Sequence, residues 1–230
     1  MLTGVQAVLF DKDGTLFDFA ASWSGWAAGL LRELSAGDAG RAQAMAQAIR
    51  FDLGAGQFLP DSPVIAGTMD VPVRLLAPFL PDWSTQDLQT HLFRSAAQAE
   101  MVPPVALAPL MRTLRARDLV LGVATNDAES IARDHLMRAG ILDQFAHVLG
   151  YDSGFTPKPA PDMLLGFARF VARDAAAVVM VGDSTHDLVA GRAAGMQTVA
   201  VLTGIAGRAE LAPYADLVLP DIGHLPQFLA

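Results

Sequence analysis

Short apolar runs bounded by turn residues recur along most of the chain, and they define its predicted architecture. Six runs rich in β-branched residues predict buried strands, at 5–10, 119–124, 147–149, 178–181, 198–201 and 217–219. Helical periodicity at 105–117, 128–139, 161–172 and 187–194 separates the later strands, with Gly140 and Gly195 ending two of these helices. This alternation predicts an α/β fold: a Rossmann-like, mostly parallel sheet with helices on both faces.

The segment 19–100 has a different pattern, with Ala-rich and Leu-rich helical periodicity and no predicted strand. Ser84 and Asp87 resemble a capping box at the start of one helix, and FDLGAGQF, with Gly54 and Gly56, is expected to form a flexible loop. We therefore predict an inserted all-helical cap domain at 19–100, and a Rossmann-like core formed by 1–18 and 101–230.

Composition narrows the class of protein. Of the 230 residues 52% are hydrophobic, but Asp, Pro and Gly interrupt every apolar run before the roughly 18 residues that a membrane span needs. The first residues lack the basic flank and cleavage site of a signal peptide, so a cytoplasmic protein with no membrane partner is expected. The chain has no cysteine, which excludes disulfides and thiolate metal sites.

A formal net charge of -8 argues against a nucleic-acid partner, because binding to a phosphate backbone normally requires a concentrated basic face. If the ligand is a small phosphate ester, positive charge must instead be supplied inside the site. A metal ion, a lysine or helix N-termini are the available sources.

Polar residues follow three of the predicted strands directly. Asp11 and Asp13 follow the first strand, Thr125 and Asn126 end the second, and the sequence GDSTHD at 182–187 ends the fourth. Ligands of open parallel sheets bind outside the carboxyl ends of the strands. We therefore expect these three distant segments to converge on one binding site.

The carboxylates of Asp11, Asp13, Asp183 and Asp187 would crowd this edge of the sheet. Two unit charges about 4 Å apart repel by roughly 4 kcal/mol at an effective dielectric of 20, so such a cluster requires a cation. A ligand set made of oxygen atoms alone suits Mg²⁺.

Four segments carry a family resemblance: DKDGTLFD at 11–18, ATND at 124–127, Lys158 within TPKPAPDML, and GDSTHDLVAGRAAGM at 182–196. In this order and spacing they resemble the four motifs of the haloacid-dehalogenase-like (HAD) superfamily, and most closely its phosphoglycolate-phosphatase-like members. The resemblance covers 1–18 and about 103–210 well. The insert matches only in position and helical character.

The resemblance implies a role for each motif residue. Asp11 would attack phosphorus and carry the phosphoryl group, and Asp13 would protonate the leaving alkoxide and then activate water. Mg²⁺ would be held by the Asp11 side chain, the Asp13 backbone carbonyl and Asp183, with Asp187 in support.

The remaining phosphate oxygens would be bound by the Thr125 hydroxyl, the Asn126 backbone amide and Lys158. The implied activity is a phosphatase acting on a small-molecule phosphate monoester, with phosphoglycolate as the first named substrate. The dehalogenases of this superfamily lack an aspartate at the position of Asp13, because a halide leaving group needs no proton. The presence of Asp13 therefore favours phosphoryl transfer over dehalogenation.

Two alternative functions stay open at this point: a phosphomutase of the same superfamily, and a non-catalytic binding or regulatory protein on the same fold. Several residues also have structural interpretations. Thr125 can cap the following helix, and Ser184 with Asp187 can begin another. His186 is expected to be a partly exposed structural residue, and His135 is expected to lie on a helix surface.

Overall fold

The structure, a computed structural model, describes residues 2–229. Two compact units divide the chain: Met1–Phe19 with Val102–Ala230, and Ala20–Met101. The sequence predicts nearly the same two parts, with boundaries between residues 18 and 19 and between residues 100 and 101. Among residues 2–229, no helix combines the length and apolar composition that a bilayer crossing requires.

The strands in chain order are β1 (Ala7–Phe10), β2 (Phe51–Asp52), β3 (Gln57–Phe58), β4 (Val120–Ala124), β5 (His147–Leu149), β6 (Val178–Gly182), β7 (Gln197–Val201) and β8 (Leu217–Leu219). The α-helices are α1 (Phe19–Ser35), α2 (Ala39–Ala48), α3 (Asp70–Leu76), α4 (Thr85–Ala97), α5 (Leu107–Arg115), α6 (Glu129–Arg138), α7 (Asp162–Phe170), α8 (Thr185–Ala193) and α9 (Arg208–Leu211). Short 3₁₀ turns also occur, for example at Leu142–Gln144 and Ile222–Gln227.

The first unit contains a six-stranded sheet in the order β5-β4-β1-β6-β7-β8, and every strand pair in it is parallel. Helices α5 to α8 pack against these strands. The predicted Rossmann-like core is confirmed, including all six predicted strands. Strands β1 and β6 are buried along their whole length, which explains why their sequences are continuously apolar and do not alternate.

One glycine shows how closely a helix packs on this sheet. A Cβ atom at Gly122, in β4, would clash with the ring of Phe167 on α7. Phe167 belongs to the core cluster under the sheet, with Leu9 and Met180. The absence of a side chain at Gly122 therefore lets this ring approach the strand.

The second unit is mostly helical but is not all-helical, so that prediction was wrong. β2 and β3 pair as an antiparallel hairpin, and the rings of Phe51 and Phe58 contact each other across it at 5.0 Å. The expected flexible loop is the turn of this hairpin, where Gly56 has a positive φ of 67°. Strands of two residues are too short to give a detectable period in the sequence.

Within the second unit, Ser84 begins α4 as expected. Its hydroxyl accepts a hydrogen bond of 3.0 Å from the Asp87 N–H and donates one of 2.6 Å to the Asp87 carboxylate. A hydrogen bond of 2.8 Å from the Trp26 indole N–H to the Ser95 hydroxyl joins α1 to α4.

Candidate active site

The carboxyl ends of three neighbouring strands form the candidate site. β1 lies between β4 and β6, so the residues that follow these strands are brought together. The backbone N–H of Asp11 donates to the carbonyl of Val181 at 2.8 Å, and that of Thr125 donates to Leu149 at 2.9 Å. These bonds extend the sheet pairing by one residue and fix where the polar side chains begin.

Lys158 lies buried at the centre of this site. Its Nζ atom donates to Asp11 Oδ1 and to Asp187 Oδ1, both at 2.6 Å, and to the carbonyl of Ala124 at 2.8 Å. The loop that carries Lys158 is fixed by Asn126, whose side-chain amide donates to the Lys158 carbonyl at 2.8 Å and accepts from its N–H at 3.0 Å. The side chain of Asn126 therefore holds the lysine loop against the end of β4.

Asp11, Asp183 and Asp187 form a buried acidic group. Each can offer one carboxylate oxygen so that the three oxygens lie within 4.8 Å of one another. When all three are ionised, Lys158 balances one of three negative charges and leaves two in excess. Asp183 also accepts a long hydrogen bond of 3.4 Å from the Thr15 hydroxyl. This group can bind a metal ion.

Two glycines leave the space that the Asp183 carboxylate occupies. A Cβ atom at Gly14 or at Gly204 would clash with the Asp183 side chain. Gly14 has a φ of 82°, so its backbone also favours glycine, whereas Gly204 lies outside that region. A hydrogen bond joins the two glycine segments: the Thr203 hydroxyl, next to Gly204, donates to the Gly14 carbonyl at 2.6 Å.

Burial and charge crowding shift the pKa values of the acidic group. Burial raises the pKa of Asp11 to about 7, against the opposing effect of Lys158. Burial, together with the charges of Asp11 and Asp187, raises the pKa of Asp183 well above its usual value. For Lys158, burial favours the neutral amine, but the charges of Asp11 and Asp187 outweigh it and raise its pKa. The site therefore has too little positive charge for its carboxylates.

Asp187 has both a structural and a site contact. Its Oδ2 accepts from the Ser184 N–H at 3.1 Å and from the Ser184 hydroxyl at 2.7 Å, which completes the capping box at the start of α8. Its Oδ1 binds Lys158, as described above. The structural interpretation of Ser184 and Asp187 is thus correct, and it leaves one Asp187 oxygen directed to the site.

Thr125 does not cap the helix that follows it, contrary to one interpretation of the sequence. Helix α6 begins at Glu129 with Ala128 in the N-cap position, and residues 126–128 separate Thr125 from the helix. The Thr125 hydroxyl instead accepts a hydrogen bond of 3.0 Å from the Asp127 N–H within that turn. Thr125 is buried at the end of β4.

A second buried cluster, centred on Lys12, was missed by sequence reasoning. The Lys12 Nζ lies 2.8 Å from Asp13 Oδ1, 3.1 Å from Asp127 Oδ2 and 3.1 Å from His135 Nδ1. The expectation that His135 lies on a helix surface was wrong: only 1% of the residue is exposed, because its ring faces Lys12. An available signal was that Lys12 and Lys158 are the only lysines of the chain, while arginine supplies its other cationic side chains.

The protein is therefore an α/β protein with a parallel sheet, and its candidate site lies at the ends of adjacent strands. Aspartates, a threonine and a buried lysine meet there. Comparison with known proteins gives the family. Residues 5–195 match the haloacid dehalogenase-like hydrolases, and the chain belongs to that family.

Named relatives agree with this assignment. The chain is 39% identical over 116 residues to a phosphoglycolate phosphatase of Neisseria meningitidis serogroup A, covering 50% of this chain and 49% of the relative. It therefore spans about half the length of this relative. A phosphoglycolate phosphatase of Psychrobacter arcticus is 29% identical, with 86% of this chain and 84% of the relative covered.

The crystal structure of a predicted phosphoglycolate phosphatase from Haemophilus somnus superposes with a TM-score of 0.75 over 99% of both chains, at 16% identity. At that identity the likeness shows the fold alone.

Proposed function

We propose that this protein is a Mg²⁺-dependent phosphatase that hydrolyses a small-molecule phosphate monoester through an aspartyl-phosphate at Asp11. One observation carries the proposal: Asp11, Asp183 and Asp187 lie together in a buried group whose negative charge Lys158 only partly balances. The relatives named as phosphoglycolate phosphatases support phosphoglycolate as the first substrate to test. A cytoplasmic location stays a prediction.

The residues present fit a divalent cation. The three carboxylates offer oxygen atoms within 4.8 Å of one another, and the glycines beside Asp183 leave its carboxylate room at the site. Mg²⁺ typically takes one or two carboxylates together with a phosphate oxygen. Asp11, Asp183 and the Asp13 carbonyl would hold it, with Asp187 in support. The ion would neutralise charge on the phosphoryl oxygens and so let a carboxylate approach phosphorus.

The protein's own residues would carry out two displacements. In the first, a carboxylate oxygen of Asp11 forms a bond to phosphorus, the bond from phosphorus to the ester oxygen breaks, and Asp13 gives that oxygen a proton. In the second, Asp13 takes a proton from water as the water oxygen attacks phosphorus. The bond to Asp11 then breaks and inorganic phosphate leaves.

Lys158 would serve both displacements by staying charged. Its pKa lies above the usual value because Asp11 and Asp187 outweigh the effect of burial. A fixed ammonium can therefore bind a phosphate oxygen throughout the reaction. The Thr125 hydroxyl and the Asn126 backbone N–H would bind other phosphate oxygens, while the Asn126 side chain holds the lysine loop.

The second unit would act as the cap domain that the family resemblance implies. Selectivity among esters would then be determined mainly in Ala20–Met101. Differences in kcat/KM between substrates that share a phosphate group but differ in the alcohol would measure it.

The test is release of inorganic phosphate from a panel of esters, including phosphoglycolate, by purified protein with Mg²⁺. Asp11→Asn should remove activity, whereas Asp134→Asn, at an exposed position on α6, should not. Chelation with EDTA should stop turnover, and added Mg²⁺ should restore it. Unchanged release in excess EDTA, or an active Asp11→Asn variant, would refute the proposal. Isomerised ester with little free phosphate would identify a phosphomutase instead.

A further inference from the structure

Lys12 is a fully buried charge that the proposed reaction does not use. The residue is 0% exposed, although it stands between Asp11 and Asp13 in the sequence. Lys12 lies two residues after the end of β1, and its ammonium reaches Asp127, in the turn after β4, and His135, on α6. Its shortest contact of the three is the 2.8 Å ion pair with Asp13.

Stability does not explain why a lysine occupies this position. Taking an ammonium out of water costs several kcal/mol, and replacing a buried ion pair by apolar residues of similar volume is often neutral or stabilising. Contacts with Asp13, Asp127 and His135 offset this desolvation cost here. An apolar side chain would need none of them, which favours a functional reason for the charge.

The partners of Lys12 are themselves fixed by the core. Asp127 lies just after β4, and its Oδ1 accepts a hydrogen bond of 2.8 Å from the Ala128 N–H while its Oδ2 faces Lys12. His135 lies on α6. Since an ammonium only donates hydrogen bonds, His135 Nδ1 must accept, which puts the ring hydrogen of a neutral histidine on Nε2. Two elements beside β1 thus hold the ammonium in place.

We propose that Lys12, held by Asp127 and His135, is a positioning residue that fixes the orientation of the Asp13 carboxylate for proton transfer to the leaving oxygen. The inference rests on the proposed function, in which Asp13 is the general acid and base. Lys12 binds Oδ1 of this carboxylate at 2.8 Å and so fixes one of its two oxygen atoms. An acid held in this geometry stays within reach of the ester oxygen in every turnover.

The kinetic test compares Lys12→Met with wild type on two esters. An alkyl phosphate has a poor leaving group that needs a proton, whereas p-nitrophenyl phosphate has a good one. General acid catalysis contributes about 10²- to 10⁴-fold, so loss of positioning should lower kcat for the alkyl ester by about tenfold or more. The loss with p-nitrophenyl phosphate should be much smaller. Equal slowing of both esters would overturn the inference.

A double-mutant cycle separates positioning from a general loss of structure. If Lys12 acts through Asp13, adding Lys12→Met to Asp13→Asn should cause no further loss with the alkyl ester. A further tenfold loss in that background would overturn the inference. As a control, Arg192→Met removes a half-exposed ion pair with Asp216 and should affect the two esters equally.

A spectroscopic measurement tests the contact without relying on activity. Lysine-selective ¹³C labelling should give two ε-methylene signals, and Lys12→Met should remove the one that belongs to Lys12. Asp13→Asn should then shift the Lys12 signal more than that of Lys158. An unmoved Lys12 signal would overturn the inference even in an active enzyme. If wild type releases no phosphate while the signal does shift, the proposed function fails and the contact stands.

Folding of the variants is checked by circular dichroism. Lys12→Met leaves the buried Asp127 carboxylate without its ion pair, a change that can prevent folding. Lys12→Met with Asp127→Asn removes both charges and supplies a second variant. The same selective loss with the alkyl ester is expected from it, and equal slowing of both esters would again count against the inference.

Discussion

Gly204→Ala would displace a proposed metal ligand without removing it. The added carbon would lie 2.7 Å from Asp183 Cβ, and closer still to the carboxylate, whereas ordinary contact begins at 3.4 Å. Gly204 does not have a left-handed φ, so the backbone itself accepts alanine. The clash must therefore be relieved by a displacement of the Asp183 side chain.

The expected effect is a loss of Mg²⁺ affinity. Mg²⁺ requires near-octahedral geometry with ligand distances of about 2.0–2.1 Å, so even a shift of a few tenths of an ångström is costly. Substitutions that misplace a ligand without deleting it typically cost about 10- to 100-fold in metal affinity, equivalent to about 1.4–2.7 kcal/mol. Saturating Mg²⁺ should restore much of the activity, because no catalytic group is lost.

The assay is the Mg²⁺ concentration that gives half-maximal phosphate release, together with the rise in Tm on adding Mg²⁺. Gly207→Ala is the matched control, since a Cβ atom there meets nothing within 4 Å and the residue lies three positions further along the same loop. Half-saturation that is equal in wild type, Gly204→Ala and Gly207→Ala would refute the assignment of Asp183 as a metal ligand.

Three further outcomes are expected. Asp11→Asn should abolish phosphate release and keep the circular dichroism spectrum of wild type; measurable turnover would exclude Asp11 as the nucleophile. Burial raises the pKa of Asp11 to about 7, and a metal binds the carboxylate, so Mg²⁺ affinity should rise between about pH 6 and pH 8 with release of a proton; calorimetry in buffers of different ionisation enthalpy measures both, and equal affinity at the two pH values would contradict this. Trp26→Phe removes the hydrogen bond to Ser95 and should lower the free energy of unfolding by about 1 kcal/mol, whereas Trp83→Phe, at an exposed ring, should change it by less than about 0.5 kcal/mol in denaturant titrations.

The sheet was predictable because its strands are parallel and buried. Such strands form continuous apolar runs, and the turn residues after them mark the edge at which ligands bind. The position of Lys158 at that edge was expected from its motif, and it lies there beside Asp11. The local sequence was therefore sufficient to predict the strands of the core and the positions of the polar residues that follow them.

The Lys12 cluster could not be predicted in the same way. His135 is 123 positions from Lys12, and the sequence around it, ESIARDHLMR, has the polar pattern of an exposed helix. Only the pairing of β1 with β4 brings α6 over Lys12. A buried polar contact between distant segments leaves no periodic signal, since its cause is the packing of two elements.

The two lysine-centred clusters together hold more negative than positive charge. They hold five carboxylates, those of Asp11, Asp13, Asp127, Asp183 and Asp187, against two ammonium groups. With every group ionised, three negative charges are in excess. Burial raises the pKa of three of these aspartates, Asp11, Asp127 and Asp183. A phosphate dianion entering such a site would add to the repulsion unless a divalent cation or protons compensated it. Under the proposed function, substrate binding would therefore depend on the divalent cation, because Lys12 already pairs with Asp13 and Asp127.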